Sequence, residues 1–172
     1  MFRILALNAV VVASATTMMM VFAAAVLAGE NDVLVVESGE YRDHLLKLSP
    51  TVLVVTNIEL DHTDYFPNLE ALQNTFRIAV GKVPAHGYII TNPLDPTIAA
   101  VLDSAKATII DYTREEVPEL GLIGEFNRMN ARAAKAAAHA VYPDIPEGEI
   151  DAGLASFRGA WRRFEYRGET PL

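Results

Sequence analysis

Four short runs constrain the fold more than any other feature of this chain. They are Asp32 to Glu37 (DVLVVE), Thr51 to Thr56 (TVLVVT), His86 to Thr91 (HGYIIT) and Ala107 to Asp111 (ATIID). Each is continuously apolar and rich in β-branched residues, where a strand with one solvated face would alternate, so each reads as a buried parallel strand. Helical spacing fills the gaps between them. Leu69 to Val80 sets Leu69, Leu72, Phe76 and Val80 on one face, and Pro96 to Ser104 follows the turn-forming Asn92-Pro93. Strands alternating with helices predict an α/β fold, a doubly wound and mostly parallel sheet with helices on both faces. Ligands of such sheets gather beyond the carboxyl ends of the strands. Glu37, Asn57 to His62 and Asn92 to Asp95 are therefore expected on one functional edge.

The amino-terminal segment admits two readings. Ile4 to Ala28 contains no charged residue, and Arg3 stands alone ahead of it. A signal peptide or membrane helix fits the run, with Val26-Leu27-Ala28 in a plausible cleavage position. A buried strand over Arg3 to Ala13 followed by a buried helix over Thr16 to Ala28 fits it as well. Asn8, Ser14, Thr16 and Thr17 interrupt the run, and the α/β pattern of the remaining chain favours the second reading. A cytoplasmic location is expected with it, and a signal or anchor segment at 4–28 is the alternative.

Later residues change character. Glu125 to Val141 (EFNRMNARAAKAAAHAV) is alanine-rich and helical by propensity, with Gly124 suited to the tight turn ahead of it and Pro143 and Pro146 beyond its end. A shorter helix over Gly148 to Ser156 leads to Gly159-Ala-Trp-Arg-Arg-Phe-Glu-Tyr166, a basic-aromatic, strand-like segment. The length of 172 residues suits a single domain with a sizeable core. A net charge of −8 argues against non-specific nucleic-acid or anionic-membrane binding, so neither partner is expected. An anionic ligand then needs a local cluster of positive groups or backbone N–H donors. The chain has no cysteine, which excludes disulfides, zinc–thiolate sites and cysteine nucleophiles.

The stretch TNIELDHTDYF, Thr56 to Phe66, sets Asn57, Glu59, Asp61, His62 and Asp64 directly after an apolar run. Glu37 closes DVLVVE in the same way. If those two strands are neighbours, a carboxylate and an imidazole converge at the sheet edge. Such oxygen and nitrogen donors, with room for water and phosphate, suit magnesium or manganese at a nucleotide. A solvated loop whose Asp61 or Asp64 caps the next helix fits the same spacing. Asn127 and Asn130 lie three apart near a helix start, where their amides could read a purine edge or serve as cap and surface polar residue. Arg162 and Arg163, beside Trp161 and Phe164, could clamp a phosphate or line an exposed strand edge.

The order of VVESGEYRDHLLKLSP, TNIELDHTDYF, NPLDP, GEFNRMNARAA and FRGAWRRFEYRGE resembles the central ATP-binding domain of the Mur ligases, over about Asp32 to Glu169. Within that family it is similar to the branch that joins L-alanine, or a recycled peptide, to UDP-N-acetylmuramate. The resemblance implies ATP and Mg2+ as cofactors and ATP-dependent amide formation through an acyl phosphate. It makes Glu37 and His62 magnesium ligands and places Asn57 near the acyl-phosphate site. Asn130, with Asn127 near it, falls on the adenine, and Arg163 at the ATP phosphates. Asn57, His62 and Arg163 thus become the expected catalytic residues. Phe126 stands where the family often has histidine, which turns that adenine contact toward stacking.

One departure from the family is sharp. No G-x-x-x-x-G-K-[ST] phosphate loop occurs in the sequence, and the only Gly-Lys pair, Gly81-Lys82, has no upstream glycine. Val10 to Thr17 (VVVASATT) stands at the expected place, as a divergent strand–helix segment within residues 1–29. The lysine that would neutralise the transferred phosphate is missing, and the isolated chain is expected to turn over little or not at all. The family's UDP-binding and amino-acid-binding domains are expected outside this chain, with 160–172 as the start of a linker. A non-catalytic domain that keeps the fold and at most binds metal and nucleotide is the alternative to a ligase.

Overall fold

The computed structural model describes residues 8–13, as backbone, and residues 33–159. Five strands form one sheet: β1 (Asn8–Ala13), β2 (Val33–Ser38), β3 (Val52–Val55), β4 (Tyr88–Thr91) and β5 (Thr108–Asp111). Every pairing is parallel and the strand order is β2-β1-β3-β4-β5. The doubly wound parallel architecture expected from the apolar runs is the one observed. β1 falls inside the amino-terminal apolar segment and is hydrogen-bonded on both sides, which assigns those six residues to the sheet. The expected helix over Thr16 to Ala28, and Trp161, Arg162, Arg163 and Phe164, lie outside the described residues. No described helix is long and apolar enough to cross a membrane.

Side-chain alternation divides the core into two layers. Val52, Val54 and Ile90 face one layer, with Val33 and Val35 packed against it; Leu53, Val55 and Ile89 face the other, with Val36 against it. The second layer is closed by α1 (Leu69–Lys82), which buries Leu72, Phe76, Ala79 and Val80. Asn68 starts that helix by accepting the Ala71 N–H at 2.9 Å. β3 is buried throughout, as its unbroken apolar sequence requires. β2 and β5 are edge strands, and they leave Leu34 and Ile109 exposed, contrary to the expectation that all four runs are covered on both faces.

Pro96 to Ser104 is not one helix. It divides into α2 (Pro96–Ala99) and a 3₁₀ turn, Leu102–Ser104. Ile98 and Val101 are both fully buried, and a bond from the Val101 N–H to the Ile98 carbonyl tightens the chain between them. The Ser104 hydroxyl donates to the Arg77 carbonyl of α1 at 2.8 Å, which ties the turn to that helix.

The first layer is closed by α3 (Glu125–Val141), with the expected bounds, and α4 (Glu147–Ser156). Ala131, Ala133, Ala134, Ala136, Ala137 and Ala138 are all buried, and their small side chains let α3 lie close to the sheet. Lys135, 2% exposed, donates from Nζ to Glu147 and Asp151, each at 2.8 Å, and so ties α3 to α4. Those two bonds outweigh desolvation and hold the ammonium pKa above its ordinary 10.5.

Candidate functional site

The strand order reverses between β1 and β3. The connection from β1 leads to β2 on one side, while β3, β4 and β5 run away on the other. Carboxyl ends of strands at such a switch point open the crevice where doubly wound sheets bind ligands. The loop Thr56 to Phe66 leaves β3 at this point. Ile58 and Phe66 are buried in the α1-side layer, so the intervening acids and His62 are held out at the edge by apolar residues at both ends.

His62 occupies the left-handed region, φ 53. A non-glycine residue there costs on the order of 1 kcal/mol and persists where its surroundings impose it. The His62 N–H donates to Asp61 Oδ1 at 2.6 Å, and its carbonyl accepts from the Tyr65 and Phe66 N–H groups at 2.7 and 2.9 Å. This turn aims the imidazole at a second segment, the 3₁₀ stretch Tyr41–Lys47 and its preceding residue Glu40. His62 Nε2 lies 3.6 Å from Glu40 Oε1. Glu40 is 2% exposed, and its carboxylate makes no hydrogen bond among the described residues.

The two segments are laced together. Tyr41 Oη donates to Asp64 Oδ2 at 2.9 Å, and Tyr65 Oη donates to Asp43 Oδ2 at 2.6 Å. Asp43 Oδ1 accepts from the Thr75 hydroxyl of α1 at 2.9 Å. The Tyr41 ring lies 4.5 Å from the His62 ring, centroid to centroid. The bond to Asp43 holds the Tyr65 phenol pKa above its ordinary value, with desolvation and the Asp43 charge adding and Arg42 opposing.

One premise about this edge is corrected. Glu37 and His62 do not come from neighbouring strands, because β1 lies between β2 and β3, with Val12 opposite Glu37. In a doubly wound sheet the first strand takes the centre, and the chain then extends to either side of it. Glu37 is exposed, and its carboxylate has no hydrogen bond or ion pair among the described residues. The carboxylate facing His62 is Glu40, three residues later, which the sequence reading did not single out. Its signal was Ser38-Gly39, a turn pair that ends the strand and carries the chain across to the β3 loop.

Elsewhere on the edge the acids are already engaged. Asp95 Oδ1 caps α2, accepting from the Thr97 N–H at 2.8 Å and the Thr97 hydroxyl at 2.6 Å. Asp111, the last residue of β5, repeats the pattern, with Thr113 at 3.0 and 2.6 Å. For both, desolvation is outweighed by these bonds, and the carboxyl pKa lies below the ordinary 3.8. Tyr112 is buried beside them, its hydroxyl donating to the Thr56 carbonyl at 3.3 Å. Desolvation, then the charges of Asp95 and Asp111, push its phenol up to about 12.

Asn57 is half-buried in the β3 loop. Asn127 and Asn130 both lie in the first turns of α3. The Asn127 amide donates to the Ile123 carbonyl at 2.8 Å, so it shapes the loop that leads into the helix. Asn130 is half-buried, its side-chain amide makes no hydrogen bond among the described residues, and the Phe126 side chain one turn before it is 45% exposed. Arg163 lies outside the described residues. No group of three or more histidine, cysteine or acidic residues suited to a metal ion occurs among the described residues.

The parallel order and its switch-point edge define a doubly wound α/β domain of the nucleotide-binding kind. The sequence profile of the Mur ligase middle domain matches residues 13–119, and the chain belongs to that family. It is 32% identical over 171 residues to UDP-N-acetylmuramate–L-alanine ligase of Clostridium acetobutylicum, covering 83% of this chain and 37% of that protein. The same-named ligase of Desulfotalea psychrophila is 34% identical over 169 residues, covering 82% and 36%. The chain thus spans little more than a third of these relatives. Among solved structures, a UDP-N-acetylmuramate:L-alanyl-γ-D-glutamyl-meso-diaminopimelate ligase of Neisseria meningitidis superposes with TM-score 0.77 at 19% identity, over 90% of this chain and 67% of that one. A MurF ligase of Thermotoga maritima, solved with ADP, gives 0.73 at 14% identity, over 94% and 51%. At these identities the two structures show the fold.

Proposed function

We propose that this chain forms the nucleotide- and cation-binding part of an ATP-dependent ligase that joins L-alanine, or a peptide, to UDP-N-acetylmuramate. The observation that carries the reading is the Glu40–His62 pair, 3.6 Å apart at the switch-point edge of a Mur ligase middle domain. The names of the relatives and the ADP held by a MurF ligase of the same fold support it.

The donor set fits a hard divalent cation. Magnesium keeps several waters and is held through one or two carboxylates beside phosphate oxygens, a part the buried Glu40 carboxylate can play, and the imidazole adds a nitrogen donor. Glu40 and His62 would hold the ion, with Glu37 as a further oxygen donor nearby in sequence. Bound there, Mg2+ would supply neutralisation of charge on the transferred phosphoryl group. In the proposed reaction a carboxylate oxygen attacks the γ-phosphorus of ATP and ADP leaves. The amine then attacks the acyl carbon, phosphate departs, and the nitrogen loses a proton. Asn57 would orient the acyl phosphate, and Asn130 would read the adenine edge with the Phe126 ring stacked on the base. Asn127 would act through the loop it holds, and Arg163 would approach the phosphates.

A second reading rests on the missing G-x-x-x-x-G-K-[ST] motif: a domain that binds the metal–nucleotide complex without turning it over. Calorimetric titration with Mg-ATP tests what both readings share. Saturable binding by the parent chain is expected, with loss in His62→Ala and Glu40→Gln and weakening in Glu37→Ala. A parent chain that binds no Mg-ATP would refute the assignment.

A further inference from the structure

Glu40 and His62 belong to different loops, and neither loop is a regular element. Each carries backbone that relaxes unless something imposes it. Arg42, Asp43 and His62, at φ 51, 56 and 53, are the only non-glycine residues with positive φ among those described. All three lie within three residues of the Glu40–His62 pair along their own segments. Conformations this sparsely populated persist only where the surroundings over-determine them.

We propose that Tyr41, Asp43, Asp64 and Tyr65 form a crossed clasp whose task is to hold Glu40 and His62 together as a cation-binding pair. This rests on the cation-binding reading above. Tyr41 reaches from the Glu40 segment to Asp64, and Tyr65 reaches back from the His62 segment to Asp43, at 2.9 and 2.6 Å. Both are hydroxyl-to-carboxylate bonds, the stronger class of hydrogen bond. Because the two bonds run in opposite directions and at different points, neither loop can slide along the other without breaking one. The Thr75 hydroxyl takes the second oxygen of Asp43 and ties the clasp to α1, whose apolar face is buried in the core. The Tyr41 ring, 4.5 Å from the His62 ring, limits rotation of the imidazole.

The two aspartates are already engaged in the clasp. Asp43 accepts on both oxygens and Asp64 accepts on Oδ2. The four are positioning residues, acting through Glu40 and His62.

Manganese binding to the full chain, followed by electron paramagnetic resonance, tests this apart from activity. The parent is expected to bind Mn2+ and to show nitrogen modulation from the His62 imidazole, absent in His62→Ala. Tyr41→Phe combined with Tyr65→Phe keeps both rings and removes both hydroxyls. Loss of outer partners of a metal site typically weakens affinity about 10-fold to 100-fold, and that range is expected here together with loss of the nitrogen modulation. Thermal unfolding measured in parallel separates this from general destabilisation, and Thr75→Val should weaken Mn2+ in the same direction. If the double variant does not fold, Tyr41→Phe alone is read against the same criteria. A folded hydroxyl-free variant with parental affinity and modulation overturns the clasp and leaves the cation site standing. A parent that binds no Mn2+, or binds it without nitrogen modulation, overturns both.

Discussion

Asp95 lies shortly beyond β4 and Asp111 closes β5, each accepting from the backbone and hydroxyl of a threonine two residues on. Both have a folded pKa lowered from the ordinary 3.8, so their stabilising contribution is complete above that value and is lost as pH falls through the lowered values. Asparagine caps a helix about as well as aspartate but does not titrate in this range. Asp95→Asn combined with Asp111→Asn should therefore show a shallower loss of stability below about pH 4, in denaturant melts run at descending pH. An acid limb of unchanged slope would contradict the assignment. These caps were visible in the sequence as acids after strands, but sequence could not separate them from ligands. The same ambiguity favoured Glu37, which ends its strand, over Glu40. Which of two carboxylates three residues apart faces a histidine depends on where the chain turns, and that is fixed by Ser38-Gly39 and the left-handed residues beyond.

Among the elements, α3 was the most legible, because its alanine run and flanking Gly124 and prolines mark both ends. Its buried lysine was not legible, since the partners of Lys135 come from α4. With its pKa raised above 10.5, Lys135 contributes stability that is present below that value and lost as pH rises through the folded pKa. Lys135→Met keeps the apolar stem and removes both bonds. Glu147 is 68% exposed and can return to water, so the cost should be near the low end for a charged hydrogen-bonded group, about 1–2 kcal/mol at neutral pH. The variant should also lose part of the alkaline decline in stability. Equal melting behaviour of the two proteins at pH 7 would show that the α3–α4 tie contributes nothing. At the opposite extreme of legibility, Pro96 to Ser104 has helical spacing but breaks where Ile98 and Val101 both reach the core.

At the scale of the molecule, the parallel sheet followed from four apolar runs and the helices between them. The strand order did not, because a run's composition does not say which neighbour it pairs with. That order decides the site: β1 between β2 and β3 separates the strand of Glu37 from β3 and creates the crevice at the switch point. Amide resonances of the 172-residue chain, followed while Mg-ADP is added, would locate binding on the sheet directly. Shifts are expected to concentrate in Gly39 to Asp43, Thr56 to Phe66 and the first turns of α3, with α4 unmoved. Absence of any shift, or shifts gathered at the amino ends of the strands, would contradict it.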